Sequence, residues 1–222
     1  MSERQRAHDH AAFTVIMPIK PWDGAKSRLH ASSDARRALA MAFAQDALAA
    51  VRASTEVADV VVVTRSAEVA DLARRAGAHV VDEPAHSGPD PLGAAVRQGT
   101  EWAAEHRPDS PLAVVPSDLP ALSADELGTV LQDAATHELA FVPDANGDGT
   151  TILMSRRPDL LRAGYGVGSA ERHRSYGAVE LQAPAGLRRD VDEFNELLEA
   201  QEIGLGPNTA AAFTHLSTRA TA

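Results

Sequence analysis

Five short stretches hold side chains whose types and spacing suit phosphate chemistry. "PIKPWDGAKSRL" carries Lys20, Lys26 and Arg28 in one loop. Three cations there can clamp a polyphosphate, with Arg28 offering a bidentate fork; the plainer reading is a solvated basic loop. "PSDLPAL" places Asp118 just after four apolar residues. A carboxylate at a strand's carboxyl end can hold Mg²⁺ on phosphate oxygens, or it can cap its own turn. "LRRDVDE" carries Asp190 and Asp192, which period two puts on one side of an extended segment. The plainer reading of Asp192 is a helix N-cap. "DANGDGTTILM" sets Thr150 and Thr151 behind a glycine turn, which suits an oxyanion or a simple hairpin. "GYGVGSAERH" offers Ser169 as a helix N-cap, with Arg172 and His173 three and four residues on. Its glycines, Gly166 among them, let a ligand approach the backbone. The alternative is an ordinary glycine-rich crossing with a satisfied surface histidine.

Those residues need a frame. "FTVIMPI" and "DVVVVT" are nearly continuous apolar runs, as strands covered on both faces require. "HVVDE", "PLAVV", "LAFVPD" and "TTILMS" read as further strands. Helices are expected over 34–52 and 66–75, from Pro91 to about His106, over "SADELGTVLQDA" with Ser123 and Glu126 as a capping box, and last over about 192–201. Strand and helix alternate, which predicts an α/β protein: a doubly wound, mostly parallel sheet flanked by helices. Ligands then bind at the carboxyl ends of the strands. One domain over 13–206 is expected, with 1–12 and 207–222 as flexible tails.

Composition narrows the classes. The chain has 222 residues, a formal net charge of −10 and no cysteine. Disulfides, thiol nucleophiles and thiolate metal sites are excluded, and a cytoplasmic setting is expected. The acidic balance argues against nucleic acid as partner. No apolar run approaches the roughly 18 residues that span a bilayer, so no membrane is expected. The polar start "MSERQRAHDHAA" lacks the apolar stretch of a secretory signal. A local basic pocket on an acidic protein still admits small phosphorylated ligands.

Taken together and in order, "PIK…AKSRL", "VVVVT", "PDPLGAAV", "SDLPAL", "DGTTIL", "GVGSAERH" and "LRRDVD" resemble the phosphoenolpyruvate or 2-phospho-L-lactate guanylyltransferase family of coenzyme F-420 biosynthesis. The resemblance runs from about Phe13 to Gln201. It implies a GT-A-like nucleotidyltransferase fold and a guanylyl transfer from GTP to a small phosphoacid, releasing pyrophosphate. By motif, it implies that Lys20, Lys26 and Arg28 hold the triphosphate and that Asp118 and Asp192, or Asp190, bind Mg²⁺. Thr151 or its neighbour Thr150, Gly166 and Ser169 seat the phosphoacid, with Arg172 and His173 as nearby charges. A downstream transferase that consumes the product is an implied partner. The Ala- and Arg-rich composition of a GC-rich genome points to phosphoenolpyruvate as acceptor; 2-phospho-L-lactate and 3-phosphoglycerate are the alternatives.

The sequence departs from the family pattern at three places. Gly93 stands where relatives usually have Asn, Val167 where they have Pro, and Glu193 extends "DVD" in place of Thr. Other nucleotidyltransferases of this fold open with a glycine-rich "LAGGxSxRM"-like loop, which "PIKPWDGAKSRL" is not. A non-catalytic nucleotide-binding subunit is the remaining rival, and the retained Asp118, Asp192 and basic loop argue against it.

Overall fold

β1 (Phe13–Pro18) alternates its side chains between two apolar layers. Val15 and Met17 join one buried cluster, while Ile16 joins the other. Only a central strand covered on both faces needs that pattern. In the computed structural model, which describes residues 12–22, 26, 29, 32–83 and 90–220, β1 lies inside a seven-stranded sheet of order β3-β2-β1-β4-β6-β5-β7. The other strands are β2 (Val57–Thr64), β3 (His79–Asp82), β4 (Leu112–Val114), β5 (Leu139–Pro143), β6 (Thr150–Ser155) and β7 (Val179–Glu180). All pairings are parallel except those of β6, which runs antiparallel to both β4 and β5. The expected doubly wound, mostly parallel sheet is what forms.

One face is covered by α1 (Ser33–Ala53), α2 (Ala67–Arg75) and α4 (Ala124–Ala134), through residues such as Ala44, Leu48, Val69 and Leu131. α3 (Pro91–His106) covers the other with Ala95, Val96 and Ala103. It approaches closely because residue 99 is glycine: a Cβ there would fall 2.4 Å from Ile16 Cγ2. Ser66 caps α2 by accepting from the Val69 N–H, as its position predicts. The expected Ser123 capping box does not form, since Ser123 makes no side-chain cap bond.

The short helices α5 (Ser169–Ser175) and α6 (Ala185–Arg188) precede α7 (Phe194–Ile203). α7 begins two residues later than expected, and Glu193 caps it in a reciprocal box with Glu196. The expected tail from residue 207 is corrected. Residues Pro207–Ala220 form a helix, α8, lying on α1. Asp46, buried in α1, accepts from the Asn208 N–H at 3.1 Å, Asn208 Nδ2 at 2.7 Å and the Thr209 N–H at 2.8 Å. Phe213 packs with Leu39, Phe43 and Leu197. The first residues, 1–11, lie outside the described ones. No helix among the described residues is long and apolar enough to cross a membrane.

Candidate active site

β1 continues on one side to β2 and on the other to β4, so the chain leaves the carboxyl ends of β1 and β4 in opposite directions. That divergence opens a crevice. It is a cleft of about 450 Å³ lined by residues that include Lys20, Trp22, Lys26, Arg65, Asp118 and Asp192. Two of the expected cations and both expected metal carboxylates therefore share one cavity. Arg28 lies outside the described residues.

The backbone explains the convergence. Asp118 follows β4, and its carbonyl accepts from the Val191 N–H at 3.0 Å. That bond draws the "RRDVD" segment, from the far end of the chain, against the β4 turn. Lys26 then bridges the two acids, with Nζ 3.0 Å from Asp118 Oδ2 and 3.0 Å from Asp192 Oδ1. Burial alone would lower the Lys26 pKa, but the Asp118 and Asp192 charges hold it above its ordinary value. Lys26 has φ 52°, a left-handed conformation that non-glycine residues adopt at a cost. Asp190 is partly buried beside Asp118. Burial first, then the Asp118, Glu196 and Asp144 charges, raise its pKa to about 7. Lys26 pairs with Asp192 instead, so Asp190 and Asp192 play different parts. The Glu193 carboxylate is turned to its own helix cap rather than to the cleft.

A second group forms where β6 begins. The antiparallel register pairs Val114 with Leu153, so Thr150 and Thr151 sit at the same sheet edge as Asp118. Asn146 to Gly149 make the hairpin turn between β5 and β6, with Gly147 at φ 81°. Thr151 is buried, and its hydroxyl donates to the Leu187 carbonyl at 2.7 Å. Thr150 is half-buried, and its Oγ1 lies 2.8 Å from His173 Nδ1. Gly166 is exposed and Ser169 is buried. The helix cap falls at Gly168, φ 71°, not at Ser169. The Gly168 N–H donates to Asp148 Oδ2 at 3.2 Å and the Ala170 N–H to the Asp148 carbonyl at 3.0 Å.

Of the two expected charged residues, Arg172 is taken up by its own loop and His173 is buried. His173 is fully buried, and burial, followed by the Arg172 charge, lowers its pKa to about 4. It is neutral at physiological pH. The Arg172 guanidinium donates to the carbonyls of Gly164, Tyr165, Gly166 and Val167 at 2.8–3.1 Å. Spacing on a short helix shows which face two residues share, not whether that face is covered. Val167, where relatives keep proline, is 90 % exposed, so its side chain makes no demand on the loop. Gly93 opens α3 and lines a separate cavity with Arg97 and Leu161. Asp90 caps it at 2.8 Å, and a Cβ at 93 would fall 1.9 Å from Asp90 Oδ2.

Arg65 was not among the expected site residues. It follows β2 directly and lines the cleft. The rule that selected Lys20 and Asp118, a polar residue just past a buried strand's carboxyl end, selects Arg65 as well.

Comparison with known proteins decides the family. A family model described as guanylyl transferase CofC like matches residues 13–180. The chain belongs to the CofC-like guanylyl transferase family. The phosphoenolpyruvate guanylyltransferase of Streptomyces scabiei (strain 87.22) is 44 % identical over 209 residues, covering 92 % of this chain and 97 % of that protein. The enzyme of the same name from Streptosporangium roseum is 38 % identical over 214 residues, covering 95 % of each. A solved 4-diphosphocytidyl-2C-methyl-D-erythritol synthase superposes with a TM-score of 0.60 at 12 % identity, covering 87 % of this chain and 99 % of that one. A nucleotidyl transferase from Methanothermobacter thermautotroptrophicus gives 0.53 at 18 % identity, covering 86 % and 96 %. These two show the fold, that of the GT-A-like nucleotidyltransferases. The CofC-like protein is thus an enzyme, a nucleotidyltransferase, whose family and fold imply a divalent metal ion.

Proposed function

We propose that the protein transfers GMP from GTP to phosphoenolpyruvate, giving enolpyruvoyl-diphosphoguanosine and pyrophosphate. The observation that carries the reading is the convergence of Lys26, Asp118 and Asp192 at the crevice edge, in a chain of the guanylyl transferase family. A phosphate oxygen of phosphoenolpyruvate attacks the α-phosphorus of GTP. The bond from the α-phosphorus to the α,β-bridging oxygen breaks, and that oxygen leaves with pyrophosphate. The attacking phosphate is already ionised at neutral pH, so no general base is needed. Catalysis then rests on alignment and on neutralising the charge of the leaving group.

Each residue has a part in that scheme. Lys20 and Lys26 contact the triphosphate, and Arg65, across the same cleft, adds a forked cation. Asp118 and Asp192 hold the metal, read here as Mg²⁺. The pair fits a hard cation, because two oxygens from separate segments already converge on one positive charge. No cluster of three or more acidic or histidine ligands occurs among the described residues. An ion held by two carboxylates keeps waters and takes phosphate oxygens. When bound, it would supply charge stabilisation on the α- and β-phosphates. The phosphoacid sits at Thr150 and the exposed backbone around Gly166, beside the buried Thr151 and Ser169. The acidic chain, with no helix able to span a membrane among the described residues, fits the cytoplasm, and a downstream transferase consumes the product.

The test is a pyrophosphate-release assay crossing GTP, ATP, CTP and UTP with phosphoenolpyruvate, 2-phospho-L-lactate and 3-phosphoglycerate. GTP with phosphoenolpyruvate is expected to be fastest. No release in any combination refutes catalysis, and faster release with another acceptor refutes the substrate assignment.

A further inference from the structure

The loop from Gly164 to Gly168 is built around a guanidinium. Arg172 Nε donates to the Gly164 carbonyl at 2.9 Å, and Nη1 to Val167 at 2.8 Å. Nη2 is shared between the Tyr165 and Gly166 carbonyls, each at 3.1 Å. Four successive carbonyls thus face one planar cation. That curvature needs positive φ, which Gly166 at 100° and Gly168 at 71° supply. A point charge such as ammonium cannot reach four carbonyls spread about a plane.

The neighbouring histidine completes the arrangement. The Gly164 N–H donates to His173 Nε2 at 3.1 Å, so Nε2 is the acceptor. The ring proton therefore sits on Nδ1, assigned from this network, and is donated to Thr150 Oγ1 at 2.8 Å. Thr150's oxygen accepts that bond, which leaves its own proton to donate elsewhere. Phe141, Tyr165 and Tyr176 surround the ring.

We propose that Arg172 and His173 are positioning residues that pre-shape the acceptor seat: Arg172 fixes the curve of the glycine loop, and His173 turns the Thr150 hydroxyl into an anion donor. Neither touches the phosphoacid. The inference rests on the reading that this loop seats the acceptor. It separates the two residues from the anion contacts that their types first suggest.

The first test needs no variant. Hydrogen–deuterium exchange of the ligand-free wild type should show the Gly164 amide protected, because its partner is the buried His173 ring. Exchange at unstructured-chain rates, with protection arising only on adding phosphoenolpyruvate, overturns the pre-shaped seat. Arg172→Met and Arg172→Lys then separate clamp from charge. Both should speed exchange over 164–168 and raise the KM for phosphoenolpyruvate roughly tenfold or more, as misplacement of a substrate does. The KM for GTP should stay within about twofold. Added guanidinium ion should partly rescue Arg172→Ala. If Arg172→Lys keeps near wild-type KM, charge rather than shape is the contribution and the proposal fails. If wild type does not use phosphoenolpyruvate, the functional reading fails, and the exchange experiments still decide the clamp by themselves.

Discussion

Lys26→Met removes the ammonium that, among the described residues, bridges Asp118 and Asp192. The Lys26 side chain is 11 % exposed, while the carboxylates are 31 % and 52 % exposed. Solvent therefore screens both pairs, and each is worth about 0.5–1 kcal/mol, not the several of a dry pair. Losing both pairs costs about 1–2 kcal/mol in total. In a chain of this length that lowers Tm by roughly 2–8 °C. Mg²⁺ reverses the loss, because it can enter where the ammonium was. At ten times its Kd it returns about 1.4 kcal/mol. In wild type the ion must first displace Lys26, so Mg²⁺ alone shifts Tm much less. Differential scanning calorimetry of both proteins, with and without Mg²⁺ at matched ionic strength, measures the difference. Equal Mg²⁺ responses in the two proteins, with equal Tm values in its absence, would show that Lys26 does not occupy a cation position. Turnover of the variant with GTP should fall about 100-fold or more if the proposed triphosphate contact of Lys26 is made.

Other expectations are simpler. Asp46→Ala removes the acceptor of three hydrogen bonds at the start of α8 and should cost about 2–3 kcal/mol; limited proteolysis should then cut within 207–220, which wild type resists. His173 has a pKa of about 4 folded and 6.5 unfolded, so the unfolded chain binds more protons between those values. Its contribution is present above pH 6.5 and is lost as pH falls toward 4, by about 3 kcal/mol in all. The fall of Tm from pH 7 to 4.5 should be shallower in His173→Gln, and an unchanged slope counts against a neutral buried His173. Asp118→Asn should abolish Mg²⁺-dependent pyrophosphate release while circular dichroism stays native; retained turnover removes Asp118 from the metal site.

The sheet was readable because burial on both faces leaves unbroken apolar runs, as in "FTVIMP" and "DVVVVT". Lys20, Lys26, Asp118 and Asp192 were readable as crevice residues because the fold fixes what strand ends and their loops face. The rest depends on distant partners. α8 is recognised by Asp46 more than 160 residues away, and its own polar, alanine-rich sequence gives little sign of docking. The antiparallel direction of β6 follows from a tight turn at Gly147 and was legible only as an alternative. Arg172 and His173 look alike on paper as charged neighbours. Burial makes one neutral, and four carbonyls take up the other. Thr150 and Thr151 are equivalent in sequence, and only the pleat of β6 separates a half-buried hydroxyl from a buried one.

The most direct measurement of guanylyl transfer is ³¹P NMR of the protein with GTP, phosphoenolpyruvate and Mg²⁺. The GTP and phosphoenolpyruvate signals should fall together while pyrophosphate and a coupled pair from an unsymmetrical diphosphate rise in equal amount, with neither appearing for Asp118→Asn. Orthophosphate release, pyrophosphate without the coupled pair, or unchanged spectra would contradict it.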